Sequence, residues 1–253
     1  MLLAIDVGNT NTVLGLFDGD TLADSFRIKT DPRSTADEMM LTFRGLLGGT
    51  PITGVSLCST VPAVLHEMRL MLAKYYGDLP RILVEPGIKT GVQVLTDNPR
   101  EVGADRIVNT LAAHHLYGGP CVVVDFGTST NLDVVSASGD FLGGALAPGI
   151  QISLDALSAR AAQLRKVELV RPRSVIGKNT VEALQSGALY GFAGQVDGLV
   201  DRIRTEIPGI SEVIATGGLA EVVVPESRTI TAHCPELTLI GLALVFLKNM
   251  GST

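Results

Sequence analysis

The sequence lacks tryptophan altogether, and aromatic residues make up only 4% of its 253 positions. Because hydrophobic residues still amount to 46%, the core is expected to consist of leucine, valine, isoleucine and alanine. A disordered chain is excluded by the same figures, since only 18% of the residues are charged. Three cysteines are too few for a disulfide framework, and none forms the CxxC pair of a zinc site.

No apolar run is long enough for a membrane span, which needs about 20 residues. The longest, 237–247, is interrupted by threonine and glycine. Because no signal-peptide pattern is present either, we expect a cytoplasmic protein that works without a membrane. The formal net charge of −6 argues against a nucleic-acid partner bound through bulk electrostatics.

Several familiar catalytic and nucleotide-binding motifs are also absent. The sequence has no G-x-x-x-x-G-K-[ST], no G-x-G-x-x-G, no G-x-S-x-G and no H-E-x-x-H. Walker-type and Rossmann nucleotide sites, serine-hydrolase elbows and zinc-protease sites are therefore not supported.

Two similar segments, 4–12 and 123–131, lie about half a chain length apart. Each consists of an apolar run, an Asp-x-Gly turn and hydroxyl or amide residues, and a Gly-Asp pair follows shortly after each. This pattern predicts strand, polar turn, strand, turn and strand in both places. We interpret it as duplication of one domain plan, with domains at 1–118 and 119–253.

The rest of each half alternates helix and strand signals, which predict an α/β fold of mixed layers. Thr35 with Glu38 and Ser34 with Asp37 are two possible capping patterns before one helix, and Pro62 stands at the first turn of another. The predicted helices are 39–47, 62–75, 101–116, 150–164, 180–207 and 236–249. The further predicted strands are 55–58, 82–84 and 213–215.

Four glycines, Gly187, Gly191, Gly194 and Gly198, share one face of the predicted helix 180–207. Together they cost roughly 3–4 kcal/mol of helix propensity relative to alanine. Close approach of another helix would offset that cost. We expect this packing within the chain, and contact across a dimer is the alternative.

The turn after Asp6 has the composition of a site for a metal ion and phosphate. Gly8 lets the backbone approach an anion, while backbone N–H groups and the hydroxyls of Thr10 and Thr12 can donate to phosphate oxygens. A carboxylate there can hold hydrated Mg²⁺, which prefers one or two carboxylates plus substrate phosphates. An ordinary hairpin turn is the alternative for one copy, but the second copy at Asp125 favours a nucleotide bound by two domains.

A second candidate is the acid–base pair in 103–106. Such a pair is commonly a surface ion pair worth under about 1 kcal/mol. In a cleft, however, Asp105 can accept a hydroxyl proton and Arg106 can bind an anionic substrate. The Gly-Gly turn in 215–218 leaves room for a flat ring against the backbone, whereas the glycines in 143–149 are typical of turns around a strand.

Taken together, five segments resemble the type III pantothenate kinases in order and separation over nearly the whole chain. They are Asp6-Val7-Gly8-Asn9-Thr10, Gly103-Ala104-Asp105-Arg106, Asp125-Phe126-Gly127-Thr128-Ser129, 143–149 and Ala215-Thr216-Gly217-Gly218. The resemblance implies two ribonuclease-H-like domains of the acetate and sugar kinase, Hsp70 and actin superfamily, with ATP in the cleft between them. It also implies ATP-dependent phosphorylation of pantothenate to 4'-phosphopantothenate, the first step of coenzyme A biosynthesis. Mg²⁺, a monovalent cation (K⁺ or NH₄⁺) and a cytoplasmic homodimer are further implications.

The resemblance also assigns residues to these tasks. It implies that ATP is bound by Asp6, Val7, Gly8, Asn9, Thr10, Asn11, Thr12, Val13 and Thr128. It implies that pantothenate is bound by Thr96, Gly103, Ala104, Asp105, Arg106 and Thr180. Asp105 would be the proton acceptor, Asp125 the ligand of the monovalent cation, and Asp6 the candidate ligand of Mg²⁺. Many family members have tyrosine where Thr96 stands, so a ring contact to the substrate is lost here.

Two alternatives remain beside a pantothenate kinase. The fold is also compatible with a non-catalytic accessory or regulatory relative that retains the ATP site, because fold alone does not determine function. A related sugar or acyl kinase is the other. Trials with pantothenate, hexoses and acetate as phosphate acceptors distinguish the kinases from each other.

Overall fold

The computed structural model describes residues 1–160 and 167–251, which fold into two compact units. The first unit comprises the described residues of Met1–Val92, Asp97–Ala112 and Leu237–Thr253, and the second those of Gln93–Thr96 and Ala113–Glu236. Neither unit is a continuous half of the chain. The boundary between two duplicated domains at 118/119 stays a prediction. Residues 161–164 of the predicted helix 150–164 lie outside the described part.

The element order begins with three strands and repeats that beginning near the middle of the chain. The strands are β1 (Leu2–Val7), β2 (Asn11–Asp18), β3 (Thr21–Lys29), β4 (Gly54–Ser59), β5 (Arg81–Leu83), β6 (Cys121–Phe126), β7 (Ser129–Val135), β8 (Phe141–Pro148), β9 (Glu212–Thr216) and β10 (Ala232–His233). The helices are α1 (Ala36–Leu47), α2 (Pro62–Tyr75), α3 (Ala104–Tyr117), α4 (Ile150–Arg160), α5 (Thr180–Glu206), α6 (Ala220–Val223) and α7 (Leu237–Met250).

In the first unit, five strands form a mixed sheet in the order β3-β2-β1-β4-β5. β1 pairs antiparallel with β2 and parallel with β4. These registers place Asp6 beside Val13 on one side and beside Cys58 on the other. Because residues paired in register point to the same face of a sheet, the three side chains share one face.

The helix signals in the first part of the sequence are present in the structure. Thr35 and Glu38 form a complete capping box at the start of α1, so two backbone N–H groups that have no partner in the helix are satisfied. Pro62 occupies the first turn of α2, where its missing N–H costs nothing. Both predicted helix starts are therefore confirmed.

The start of α3 differs from the prediction of a helix over 101–116. A 3₁₀ turn at Pro99–Glu101 comes first, and Val102 then adopts an extended backbone that interrupts the helix. α3 begins at Ala104, so Asp105 lies in its first turn. The positive end of the helix dipole favours a carboxylate at this position.

Hydrophobic clusters cover both faces of the first sheet, with α1 and α2 in one cluster and α3 and α7 in the other. α7 approaches α3 so closely that a Cβ atom on Gly241 would lie 2.2 Å from the carbonyl oxygen of Val108. The hydroxyl of Ser56 on β4 donates to the carbonyl of Leu242 at 2.7 Å. The C-terminal helix is thus part of the core of the first unit.

The second unit repeats the centre of the first. Its sheet has the order β10-β9-β6-β7-β8, and β6 pairs antiparallel with β7 and parallel with β9. Asp125 is the fifth of the six residues of β6, and Asp6 is likewise the fifth of the six residues of β1. One face of this sheet belongs to a hydrophobic cluster with α4 and α5. The predicted pattern of three strands is confirmed in both places.

The glycine face of α5 is open in the described part of the chain. No described atom lies within 4 Å of the Cβ position of Gly187, Gly191 or Gly194, and the nearest to Gly198 belongs to Arg202 of the same helix. The expectation of close packing within the chain is therefore wrong for the residues that the structure describes.

All three cysteines are buried free thiols. Within residues 1–160 and 167–251, no helix combines the length and the apolar composition that crossing a membrane requires.

Candidate active site

The first candidate site lies at the carboxyl end of β1, where Asp6 precedes the turn to β2. The N–H of Gly8 donates to the carbonyl of Asn11 at 3.0 Å and closes this turn. A Cβ atom on Gly8 would lie 3.2 Å from the same oxygen, so a larger residue would crowd the turn. Asn9 and Thr10 form its exposed tip. An exposed turn of this kind can bring backbone N–H groups to an anion.

Two carboxylates and a thiol come together beside this turn. The Cys58 thiol on β4 donates to Oδ1 of Asp6, with a sulfur–oxygen distance of 3.3 Å. Asp105, in the first turn of α3, is near enough for its charge to act on both groups. The sheet supplies Asp6 and Cys58, and the helix packed on the same face supplies Asp105.

The environment favours the protonated form of both carboxyl groups. Burial and the charge of Asp105 raise the pKa of Asp6 to about 7, against the opposing effects of the Cys58 hydrogen bond and Arg27. Burial also raises the pKa of Asp105, although backbone hydrogen bonds and the charge of Arg106 lower it. Paired carboxyl groups with raised pKa values are typical of sites that bind cations or transfer protons.

One carboxylate oxygen of Asp105 has no hydrogen-bond partner in the described part of the chain. This oxygen, Oδ1, is buried. A Cβ atom on Gly103 would lie 2.4 Å from this oxygen, so glycine at 103 leaves the space that the carboxylate occupies. A buried acceptor without a donor is suited to receive the proton of a substrate hydroxyl.

The second candidate site lies in the second unit, where Asp125 precedes the turn between β6 and β7. The N–H of Gly127 donates to the carbonyl of Ser129 at 3.0 Å. Gly217 has a φ of +92°, and a Cβ atom there would lie 2.4 Å from Oδ1 of Asp125. The glycine turn after β9 therefore brings backbone against the Asp125 carboxylate.

Two further sequence motifs meet in the second unit. The N–H of Gly149 donates to the carbonyl of Thr128 at 3.1 Å, and a Cβ atom on Gly149 would lie 2.3 Å from that oxygen. Thr96 lies against Gly143, with its Cγ2 3.7 Å from the Cβ position. Its Oγ1 is buried and lacks a hydrogen-bond partner in the described part of the chain. Thr96 thus offers a polar atom where the resemblance implies an aromatic ring in many family members.

The remaining predicted residues lie at helix starts. Arg106 is half-buried in the first turn of α3. Thr180 is exposed and begins α5, directly after the N-cap residue Asn179, whose side chain accepts the N–H of Glu182 at 2.9 Å. The contacts of both residues to pantothenate stay predictions.

Three polar residues near these sites were missed by the sequence analysis. Cys58 and Asn131 lie in register with Asp6 and Asp125 on neighbouring strands, and such pairing is not visible along a sequence. Asn131 is 8% exposed, and its Oδ1 lacks a partner among the described residues. Thr30 contacts the turn after Asp6. The sequence marks Thr30 only as a hydroxyl residue at the end of a strand.

The carboxylates fit the cations that the resemblance implies. No three His, Cys, Asp or Glu side chains of the described residues form a cage for a metal ion. Mg²⁺ bound together with phosphates does not need one, because one or two carboxylates suffice. The charge of a bound cation would also stabilise the Asp6 carboxylate against the burial and repulsion that raise its pKa. At Asp125, the unpartnered Oδ1 of Asn131 adds a neutral oxygen of the kind that hard cations accept.

Comparison with known proteins identifies the family. The family model described as "Type III pantothenate kinase" matches residues 2–202. The chain belongs to the type III pantothenate kinase family. A type III pantothenate kinase of Frankia alni is 70% identical over 250 residues, which cover 99% of this chain and 100% of the relative. The chain is therefore a kinase, and the predicted activity, phosphorylation of pantothenate on the route to coenzyme A, is confirmed by this membership.

Solved structures support the fold at low sequence identity. An activator of 2-hydroxyisocaproyl-CoA dehydratase from Clostridium difficile, with bound ADPNP, matches with a TM-score of 0.59 at 14% identity over 99% of this chain and 96% of its own. A ROK family protein from Streptococcus pneumoniae, in complex with sucrose, matches with a TM-score of 0.56 at 14% identity over 100% and 99%. The predicted actin-like ATPase fold of the type III pantothenate kinases is confirmed.

Proposed function

We propose that, in phosphorylating pantothenate, this kinase uses ATP as the donor and Asp105 as the acceptor of the hydroxyl proton. The observation that carries the proposal is the buried, unpartnered Oδ1 of Asp105. Its pKa is raised by burial, so the carboxylate is a better base than an exposed aspartate. Proton acceptance of this kind contributes about 10²–10⁴-fold to a rate.

The residues around Asp105 position the reacting groups, which is the main task in phosphoryl transfer. The turn after Asp6 binds the ATP phosphates through its backbone N–H groups. Asp105 receives the proton of the primary hydroxyl of pantothenate as the hydroxyl oxygen bonds to the terminal phosphorus of ATP. The bond from that phosphorus to the bridging oxygen breaks, and ADP leaves. Arg106 and Thr96 bind the rest of pantothenate, and the carboxylate of pantothenate is the natural partner of the guanidinium.

Two cations complete the proposal. Asp6 would hold Mg²⁺ together with the ATP phosphates, and Mg²⁺ supplies charge neutralisation of the phosphate oxygens. Asp125, with Asn131, would hold K⁺ or NH₄⁺ in the second unit, and Thr128 would contact ATP there. The raised pKa of Asp6 means that cation binding also favours its ionised form.

The direct test is ATP-dependent phosphorylation of pantothenate with Mg²⁺, carried out in K⁺, NH₄⁺ and Na⁺. We expect 4'-phosphopantothenate in K⁺ or NH₄⁺ and at least about tenfold less in Na⁺, a rate difference that corresponds to roughly 1.4 kcal/mol of activation free energy. Asp125→Asn should remove the difference between the cations. Equal rates in K⁺ and Na⁺ would refute the cation site.

Failure of the folded protein to phosphorylate pantothenate in any of these salts would contradict the activity itself. Hexoses and acetate, tested under the same conditions, then decide whether another acceptor is used. If no acceptor is phosphorylated, a non-catalytic accessory role becomes the better interpretation.

We further propose that the enzyme is a cytoplasmic homodimer. No described residue covers the glycine face of α5, and several large apolar side chains of the second unit are exposed. They are Leu146, Ile152, Leu157, Val170, Val175, Ile176 and Val181. Such side chains can supply the apolar part of a subunit contact. Sedimentation equilibrium at micromolar concentration should give twice the chain mass, and a monomer would contradict the proposal.

A further inference from the structure

Thr30, the residue after β3, makes three contacts with the turn that follows Asp6. Its backbone N–H donates to the carbonyl of Thr10 at 3.0 Å. Its hydroxyl donates to the carbonyl of Gly8 at 2.7 Å and lies 2.9 Å from the hydroxyl of Thr12. The side chain is 6% exposed. Thr30 thus holds the carbonyl groups of Gly8 and Thr10, which are separated by one residue of the turn.

The hydrogen-bond directions follow from the number of protons. A threonine hydroxyl has one proton to donate and can accept as well. Because the proton of Thr30 goes to Gly8, the hydroxyl of Thr12 must donate to Thr30. Thr12 is 4% exposed. A buried chain of hydrogen bonds therefore runs from Thr12 through Thr30 to Gly8, and such chains strengthen each member.

This arrangement fixes the N–H groups of the turn. In a planar trans peptide the carbonyl and the next N–H point in opposite directions. Holding the Gly8 carbonyl towards Thr30 therefore directs the Asn9 N–H away from Thr30. The hydrogen bond from the Thr30 N–H to the Thr10 carbonyl likewise directs the Asn11 N–H away from Thr30. Both donors are set without contact between Thr30 and any ligand.

We propose that Thr30 is the positioning residue of the phosphate-binding turn, acting through Gly8 and Thr12. The inference rests on the proposed role of that turn in binding the ATP phosphates. It also gives Thr12 a supporting role in place of a direct contact, since its hydroxyl already donates within the protein. Misplacement of reacting groups by about 1 Å can cost roughly 100-fold in rate, so the effect of losing this support is large enough to measure.

Comparison of Thr30→Val with Thr30→Ser distinguishes the effect of the hydroxyl from the effect of side-chain shape. Thr30→Val retains the shape, removes the bond to Gly8 and leaves the Thr12 hydroxyl unpaired. We expect its kcat/KM for ATP to fall at least about 30-fold, with a raised KM for ATP and little change in the KM for pantothenate. Thr30→Ser retains the hydroxyl and should stay within about threefold of the wild type. Calorimetric titration with the Mg²⁺ complex of a non-hydrolysable ATP analogue should show the same order of affinities.

Thr229→Val is the matched control. Thr229 is 2% exposed in the second unit, and its hydroxyl donates to Oδ1 of Asp197 at 2.7 Å. This variant loses a buried hydrogen bond of the same kind, so its melting temperature should fall. Its kinetic constants and its affinity for the analogue should match the wild type at a temperature where it is folded.

The proposal is overturned if Thr30→Val retains the wild-type KM and analogue affinity, or if Thr30→Ser loses as much as Thr30→Val. A Thr229→Val variant with the same kinetic defect would overturn it too, because loss of stability alone would then explain the result. Failure of the wild type to phosphorylate pantothenate would refute the activity instead. The analogue titration would still decide the role of Thr30.

Discussion

Replacing Asp105 with Asn should lower kcat for pantothenate phosphorylation by about 10²–10⁴-fold. Asparagine has nearly the same shape as aspartate but cannot accept the hydroxyl proton. The affinity for the non-hydrolysable ATP analogue should stay within about threefold, because the carboxylate is not proposed to contact ATP. Rapid-quench measurement of a single turnover isolates the chemical step from product release.

Asp20→Asn is the control for this substitution, since Asp20 is exposed in the turn between β2 and β3. It should leave turnover unchanged. If Asp105→Asn retained more than about a tenth of the wild-type kcat, another group would have to accept the proton, and the assigned role would be wrong.

The Asp105→Asn variant should be more stable than the wild type in the absence of nucleotide and metal. A carboxyl group whose pKa is raised on folding destabilises the protein as pH rises from its unfolded value, near 4, through its folded value. For Asp6 that window extends to about pH 7. Removing the Asp105 charge removes one buried carboxylate and lowers the pKa of Asp6. The stability difference should therefore grow from pH 4 to pH 7, on the order of 1 kcal/mol at its largest, in urea titrations at each pH.

Gly241→Ala should destabilise the protein by about 3 kcal/mol, a large overpacking effect. The new Cβ atom would lie 2.2 Å from the backbone oxygen of Val108, and backbone cannot rotate away as a side chain can. α7 would have to move off α3 and the first sheet. Urea unfolding monitored by circular dichroism measures the loss as a lower midpoint.

Gly45→Ala is the matched control, because Gly45 also lies in a helix of the first unit and no described atom is within 4 Å of its Cβ position. It should be neutral or stabilise the protein by up to about 1 kcal/mol through helix propensity. If both variants unfolded at the same midpoint, α7 would be free to shift, and its close packing would not contribute to stability.

Local features of the fold could be read from the sequence because short-range chemistry determines them. The Asp-x-Gly turns after β1 and β6 and the capping box at Thr35 each depend on a few neighbouring residues. The duplication was visible because both copies keep the same order of apolar and polar residues. The extended backbone at Val102, after which α3 begins at Ala104, had no comparable signal in the sequence.

The missing parts of the candidate site depend on strand pairing. Cys58 reaches Asp6 through the parallel register of β4 with β1, across a separation of 52 residues. Thr30 reaches Gly8 from the end of β3, across 22 residues. A sequence contains no direct record of such registers, since many alignments of two apolar strands bury the same surface. The packing of α7 in the first unit was also missed, because it joins segments that lie far apart in the sequence.

The position of α7 has a consequence for the order in which the protein is made. Leu239, Leu242 and Val245 of this helix belong to the same buried cluster as Leu2 of β1 and Cys58 of β4. A ribosome delivers β1 before the second unit and α7 after it, so the first unit lacks part of its core until α7 has been made. The second unit, whose residues end at Glu236, is supplied in full earlier. Although multidomain chains generally fold from the N-terminus, here the unit whose synthesis starts first is the one that is finished last.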